Sequence, residues 1–174
     1  MDWPTVITIV LGSSVLGAII NSIISLVFAR RERDRHNCYI ALILAHDFEQ
    51  YAHHCFNIVC DDELHESSGG HAGKPLDYPP EPKKLPEENY RNFDIKLLDT
   101  IIEFPQKVAF AKDEVVFLFE VNNDEDAHET SCENTIKLAS IALNIADRLR
   151  QKYSLPARDL KFGEFDLRKA LNDK

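Results

Sequence analysis

Between Thr5 and Phe28 the chain carries no charged residue and no proline. At about 1.5 Å per residue this stretch makes a helix of roughly 36 Å, enough to cross a ~30 Å hydrocarbon core with some tilt. The pattern predicts a transmembrane anchor over residues 1–29. A cleaved signal peptide is the main rival, but it opens with a basic segment, whereas this chain opens Met-Asp-Trp-Pro. The apolar run is also too long for one, and no A-x-A cleavage site follows. A buried core helix is the other rival, and the uninterrupted length counts against it. Trp3 suits the interface at one end of the run. Arg30, Arg31, Arg33 and Arg35 form a basic flank over residues 30–35 at the other. Basic residues stay on the cytoplasmic side, so the expected topology is a single pass with the N-terminus outside and residues 36–174 inside.

The apolar run has one face of a different kind. Ser14, Ala18 and Ser22 fall four apart, and so do Ser13, Gly17, Asn21 and Ser25. These two rows are adjacent on a helix. Small residues let helix backbones approach closely in lipid, and Asn or Ser can bond across the contact. Ser14, Gly17, Ala18, Asn21, Ser22 and Ser25 are therefore candidate oligomerisation residues. The partners expected are membrane lipid and either a second copy or another membrane protein. Serines that bond back to their own helix would explain the same face.

Beyond the anchor, no proline or glycine lies between Ala18 and Asp62. The anchor is expected to run on into a stalk helix, about Arg33–Asp61. Ile40, Ile43, Leu44, Phe48, Tyr51, Cys55, Ile58 and Val59 form its apolar stripe at 3–4 spacing. Glu66–Asn89 holds Gly69, Gly70, Gly73, Pro75, Pro79, Pro80, Pro82 and Pro86, so it reads as a long crossover loop. Asn92–Glu103 reads as a helix with Ile95, Leu98, Ile101 and Ile102 inward, ended by Pro105. Lys107–Val121 fits helix or strand. Helix is chosen because no second strand is evident to pair with it. Asn122–Glu125 reads as a turn, Thr130–Tyr153 as a helix, and Glu164–Leu171 as a short closing helix. The expected fold is all-α: one transmembrane helix continuing into a stalk, then a cytoplasmic four-helix-type domain with one long crossover.

Charge narrows the partners. Of 20 basic and 29 acidic residues, four basic and three acidic lie before His36, which leaves 16 against 26 in the rest. An acidic domain repels phosphate backbones, so nucleic acid is not an expected partner. Solubility alone also accounts for such acidity. The four cysteines, Cys38, Cys55, Cys60 and Cys132, form no CxxC pair, and a reducing cytoplasm favours thiols.

The segments Phe48–Cys60 (FEQYAHHCFNIVC) and Ser67–Pro75 (SSGGHAGKP) resemble a group of uncharacterised bacterial single-pass membrane-anchored proteins. Those have a similar aromatic-and-cysteine helix followed by a Gly-Gly-His-Ala-Gly loop. The resemblance covers about residues 40–160. It implies a bacterial source and hence the inner membrane, but no activity and no catalytic residue.

No cofactor follows from the sequence, although a metal ion has one candidate set. His46, Glu49 and His53 recur at i, i+3 and i+7, a spacing from which imidazole and carboxylate groups can hold zinc or iron. A solvated helix face explains the same spacing, and no Glu-x-x-His follows on a later helix, as a di-iron bundle requires. The loop residues Gly69, Gly70, His71 and Gly73 are candidates for function of another kind. Glycines ahead of Lys74 can cradle an anion, but Pro75 stands where a phosphate loop has Ser or Thr. A turn needing positive φ is the plainer explanation. Asp61-Asp62-Glu63 and Asn122–Asp126 read as solvated acidic turns. No nucleophile arrangement emerges. The sequence therefore points to a non-enzymatic, membrane-tethered, self-associating module that shows its Pro-rich loop to a partner. The alternatives are a metal-dependent enzyme or sensor built on His46, Glu49 and His53, with His71 folded over them, and a pore-forming membrane effector.

Overall fold

The computed structural model describes the backbone of residues 3–88, 90–91, 93–121 and 124–174. It describes their side chains from Ala18 onward, apart from Phe162. In chain order the elements are α1 (Trp3–Ser67), α2 (Ile95–Glu120), α3 (Asp124–Lys152), a two-stranded ribbon of β1 (Lys161–Phe162) and β2 (Phe165–Asp166), and α4 (Leu167–Asn172). They fall into two compact units, Met1–Tyr39 and Ile40–Lys174.

In the first unit Ile19, Ile20, Ile23, Ile24, Leu26, Val27 and Phe28 are all exposed. The Ser22 hydroxyl donates to the Ala18 carbonyl at 2.8 Å, the back-bonding that satisfies a serine within its own helix. Among the described residues, no helix is long and apolar enough to cross a membrane. The part of the expected anchor from Thr5 to Gly17, with Ser14 and Gly17 of its small-residue face, lies outside the residues whose side chains are described.

The second unit is built on the apolar stripe of α1. Ile40, Leu44, Phe48, Tyr51, Cys55 and Val59 are buried, one or two per turn, as a helix with one face on a core requires. Phe104 of α2 meets Phe48 and Tyr51 edge-on, with ring centroids 5.2 and 5.1 Å away. Edge-to-face pairs of this kind add about 0.5–1.5 kcal/mol beyond the area they bury. Leu138, Ala139, Ala142, Leu143, Ile145, Ala146 and Leu149 of α3 close the core, and α4 adds Leu167 and Leu171.

Three expectations are corrected. Pro105 does not end a helix; it lies inside α2, which runs on to Glu120. Proline removes one backbone donor and crowds the preceding turn. Burial of Ile101, Phe104, Val108 and Val115 along one face carries the helix past it. Lys107–Glu120 is thus helical, with Val121 as its C-cap, and the expected pair of short helices is one. Among the described residues the arrangement is three long helices with a six-residue fourth, rather than four comparable ones. Second, Ile95 and Ile102 face outward, 80 % and 50 % exposed, and Leu97 and Phe104 take the inward positions. Third, α3 begins at Asp124, with Asp124, Glu125 and Asp126 in its first turn, where acidic groups complement the helix dipole.

The long loop is a strap, not a free presenter. Leu76 and Pro79 are buried, and the Tyr51 hydroxyl donates to the Pro80 carbonyl at 2.9 Å. Lys83 pairs with Asp47, and Leu85 and Tyr90 pack on the core. Asp94 then caps α2 by accepting from the Leu97 N–H at 3.0 Å. The ribbon β1–β2 turns at Gly163, φ +62°, and was not legible as strands at two residues each.

Candidate metal centre

The end of α1 and the start of α3 meet at a cluster of ionisable side chains. Helix α1 stops because Gly69 takes φ +64°. The Gly69 N–H donates to the Glu66 carbonyl (3.1 Å) and the Gly70 N–H to the His65 carbonyl (2.8 Å), the pair of bonds that makes a Schellman cap. The chain then folds back against the helix it has just left. Lys74 N–H donates to the Asp61 carbonyl at 3.2 Å. A Cβ at Gly73 would stand 2.1 Å from the Asp61 oxygen and 2.7 Å from the His65 nitrogen, so only glycine permits the approach. This brings the Leu76 N–H to Oδ1 of Asp62 at 2.7 Å. The glycine loop is therefore the turn that seats a backbone donor on a buried carboxylate.

Asp62 is 1 % exposed, which corrects its reading as part of a solvated acidic turn. From α3, His128 Nε2 lies 3.0 Å from its Oδ1, and the Cys132 thiol donates to its Oδ2 at 3.3 Å. One ligand atom each from Asp62, His128 and Cys132 all lie within 4.8 Å of one another. His128 Nδ1, on the far edge of the ring, is 3.7 Å from Glu66 Oε1. Burial by itself would raise the Asp62 carboxyl. The Leu76 N–H, the His128 ring and the Cys132 thiol outweigh it and hold the group below the usual carboxylate range. Burial pushes the Cys132 thiol up to about 12, helped by Asp62, Glu66 and Glu63. The thiol is thus protonated at neutral pH and is not a nucleophile in this state.

The residues singled out for metal from the sequence sit elsewhere along α1, beside an open groove. Glu49 is 2 % exposed, while His46 and His53 are exposed. Arg150 clamps Glu49 through Nε and Nη2 at 2.6 and 3.0 Å, and Arg158 Nη1 adds a third bond at 2.8 Å. His46 lies against Arg158 and Gln50, and His53 against Asn57. The carboxylate is engaged by two guanidiniums, and the three side chains are not brought to one point. His71 and Lys74 are exposed on the loop. No disulfide joins the four cysteines.

His128 and Cys132 were missed. Their signal was a His-x-x-x-Cys pair one helical turn apart, facing an Asp-x-x-x-Glu pair, Asp62 and Glu66, of the same spacing. No family model matches the chain, and no curated protein and no solved structure is similar to it.

Proposed function

We propose that the chain is a membrane-tethered helical interaction module, with its N-terminal segment in the bilayer and its globular unit on the cytoplasmic side. One observation carries this reading. The seven large apolar side chains from Ile19 to Phe28 are exposed over a little more than half of the helix circumference, and the small residues Ala18, Asn21, Ser22 and Ser25 fill the rest. Large apolar side chains exposed in so wide and contiguous a patch need an apolar surrounding. The uncharged sequence extends the same character back to Thr5, and the exposed Arg30, Arg31, Arg33 and Arg35 follow it as a basic flank. Ser22 has its hydroxyl satisfied within the helix, as a polar group in hydrocarbon must.

The partner proposed is a second copy. Ala18, Asn21, Ser22 and Ser25 continue the small-residue face begun by Ser14 and Gly17. In the globular unit α2 turns Ile95, Ile102, Phe110 and Phe117 outward, four apolar groups within about one quarter of the helix circumference, and its C-cap Val121 is exposed beside them. Copies tethered in one membrane meet at high effective concentration, so even a weak contact of this stripe is populated.

Bacterial expression of the full chain followed by alkaline carbonate extraction tests the tether. The protein is expected to stay with the membranes until detergent is added, and recovery as a folded protein in the carbonate supernatant overturns the reading. Cross-linking in those membranes tests the partner. A dimer that weakens with Gly17→Leu or Ser22→Leu is expected, and a protein that stays monomeric removes self-association.

A further inference from the structure

We propose that Asp62, His128 and Cys132 bind a zinc ion, with Glu66 orienting His128 from outside the coordination sphere. This is independent of the membrane reading, because every residue involved belongs to the globular unit.

The distances suit the ion. With Zn–N and Zn–O near 2.0 Å and Zn–S near 2.3 Å, the edges of a tetrahedral site are about 3.3 Å for nitrogen to oxygen and about 3.5 Å for sulfur to oxygen. His128 Nε2 lies 3.0 Å from Asp62 Oδ1 and Cys132 Sγ 3.3 Å from Asp62 Oδ2, and one ligand atom from each of the three residues lies within 4.8 Å of the others. Turning the Asp62 carboxylate so that one oxygen faces both side chains brings the three donors onto one metal. The donors come from two helices that the core already holds together. His128 and Cys132 are one turn apart on α3, and the Leu76 N–H holds Asp62 in place from the strap.

The donor types select the ion. A thiolate and an imidazole favour zinc and its neighbours over magnesium or calcium, which take oxygen donors. Cys132 coordinates as the thiolate, its proton passing to solvent. His128 coordinates through the Nε2 lone pair and carries its ring proton on Nδ1, the atom that faces Glu66. A carboxylate behind the non-ligating nitrogen is the usual support for a metal-bound histidine. Glu66 is not itself a fourth ligand, because it sits on the opposite edge of the ring from Nε2. Three protein donors leave the fourth position to water, and the His128 side chain is 32 % exposed, so solvent reaches the site.

The test uses the full chain in detergent, made without a His-tag and stripped of metal, with Co2+ as the spectroscopic probe. About one equivalent is expected to bind tetrahedrally with a thiolate-to-cobalt charge-transfer band, and Zn2+ is expected to displace it. Cys132→Ser should remove that band, and it and His128→Gln should weaken zinc binding about 100-fold or more by dye competition. Glu66→Gln, an exposed change that leaves the ligands in place, should keep the band and weaken zinc binding about tenfold. A His46→Ala, His53→Ala double variant should bind as the parent does. Circular dichroism establishes that each protein is folded. A folded parent with no charge-transfer band overturns the proposal. So does binding that survives both Cys132→Ser and His128→Gln, or binding lost in the His46, His53 double variant.

Discussion

Two carboxylates of α1 are buried against α3, and the helices counter them in opposite ways. Glu49 faces Arg150 and Arg158, cations at every pH the protein meets. Asp62 faces an imidazole, a thiol and a backbone N–H. The first arrangement is closed around the acid: two guanidiniums face one carboxylate, and three short bonds use both of its oxygens. The second holds a carboxylate with two side chains that are themselves metal ligands once deprotonated. A buried acid beside arginine is a staple between elements. A buried acid beside histidine and cysteine is an exchangeable site. What distinguishes them is the chemistry of the counter-group, not the burial or the spacing of the acid.

The largest expected effect comes from breaking the closed cluster. Glu49→Ala leaves the Arg150 guanidinium, 12 % exposed, without its partner. Removing one member of a buried pair costs about 3–5 kcal/mol. Urea unfolding of the full chain should show a loss of that size. A loss under about 1 kcal/mol would mean that water or another acid replaces Glu49, and the contrast with Asp62 would collapse.

Acid sharpens the same point. Burial by itself would raise Glu49, but the hydrogen bonds and charges of Arg150 and Arg158 win and lower it from its usual 4.5. A carboxylate lowered by folding contributes stability that is complete above its unfolded value and is lost as pH falls through the folded one. The stability gap between the parent and Glu49→Gln should therefore be full at neutral pH and shrink as pH drops below about 4.5. Urea midpoints across that range check this, and a gap that widens in acid would assign the cluster the wrong sign.

Asp62→Asn is the milder counterpart. The amide oxygen can still accept from Leu76, and the Cys132 thiol keeps a polar partner. The metal-free protein should lose about 1.5–3 kcal/mol, the value of hydrogen bonds to a charged group. Unfolding of the two variants side by side, in chelator, reads the comparison directly. Asp62→Asn as damaging as Glu49→Ala would make both clusters staples.

How much of this was legible depended on range. The stripe from Ile40 to Val59 and the α3 face through Ala139, Leu143, Ala146 and Leu149 were readable, because one helix writes its own periodicity. Pro105 misled, since the local penalty of a proline was weighed without the burial of Ile101, Phe104 and Val108 around it. Glu49 looked like a ligand because Arg150 and Arg158 are far away in sequence. Asp62 looked solvated because the strap that buries it returns only at Leu76. His128 was passed over because its partner lies 66 residues away. Spacing within a helix shows which side chains share a face, but not what that face meets.

The smallest effects test whether the glycine loop serves Asp62 rather than a ligand of its own. Gly73 and Gly69 both have positive φ, but they differ in surroundings. A Cβ at Gly69 meets nothing within 4 Å, so Gly69→Ala should cost only the left-handed backbone penalty, about 1 kcal/mol. At Gly73 the added carbon collides with backbone on α1, which cannot give as a side-chain tip can. Gly73→Ala should therefore cost more than Gly69→Ala and push the strap off the helix, taking the Leu76 N–H away from Asp62. Amide hydrogen exchange at Leu76 reads this: protection should fall in Gly73→Ala and persist in Gly69→Ala. Equal exchange in the two variants would detach the loop from the carboxylate and leave Asp62 held by α3 alone.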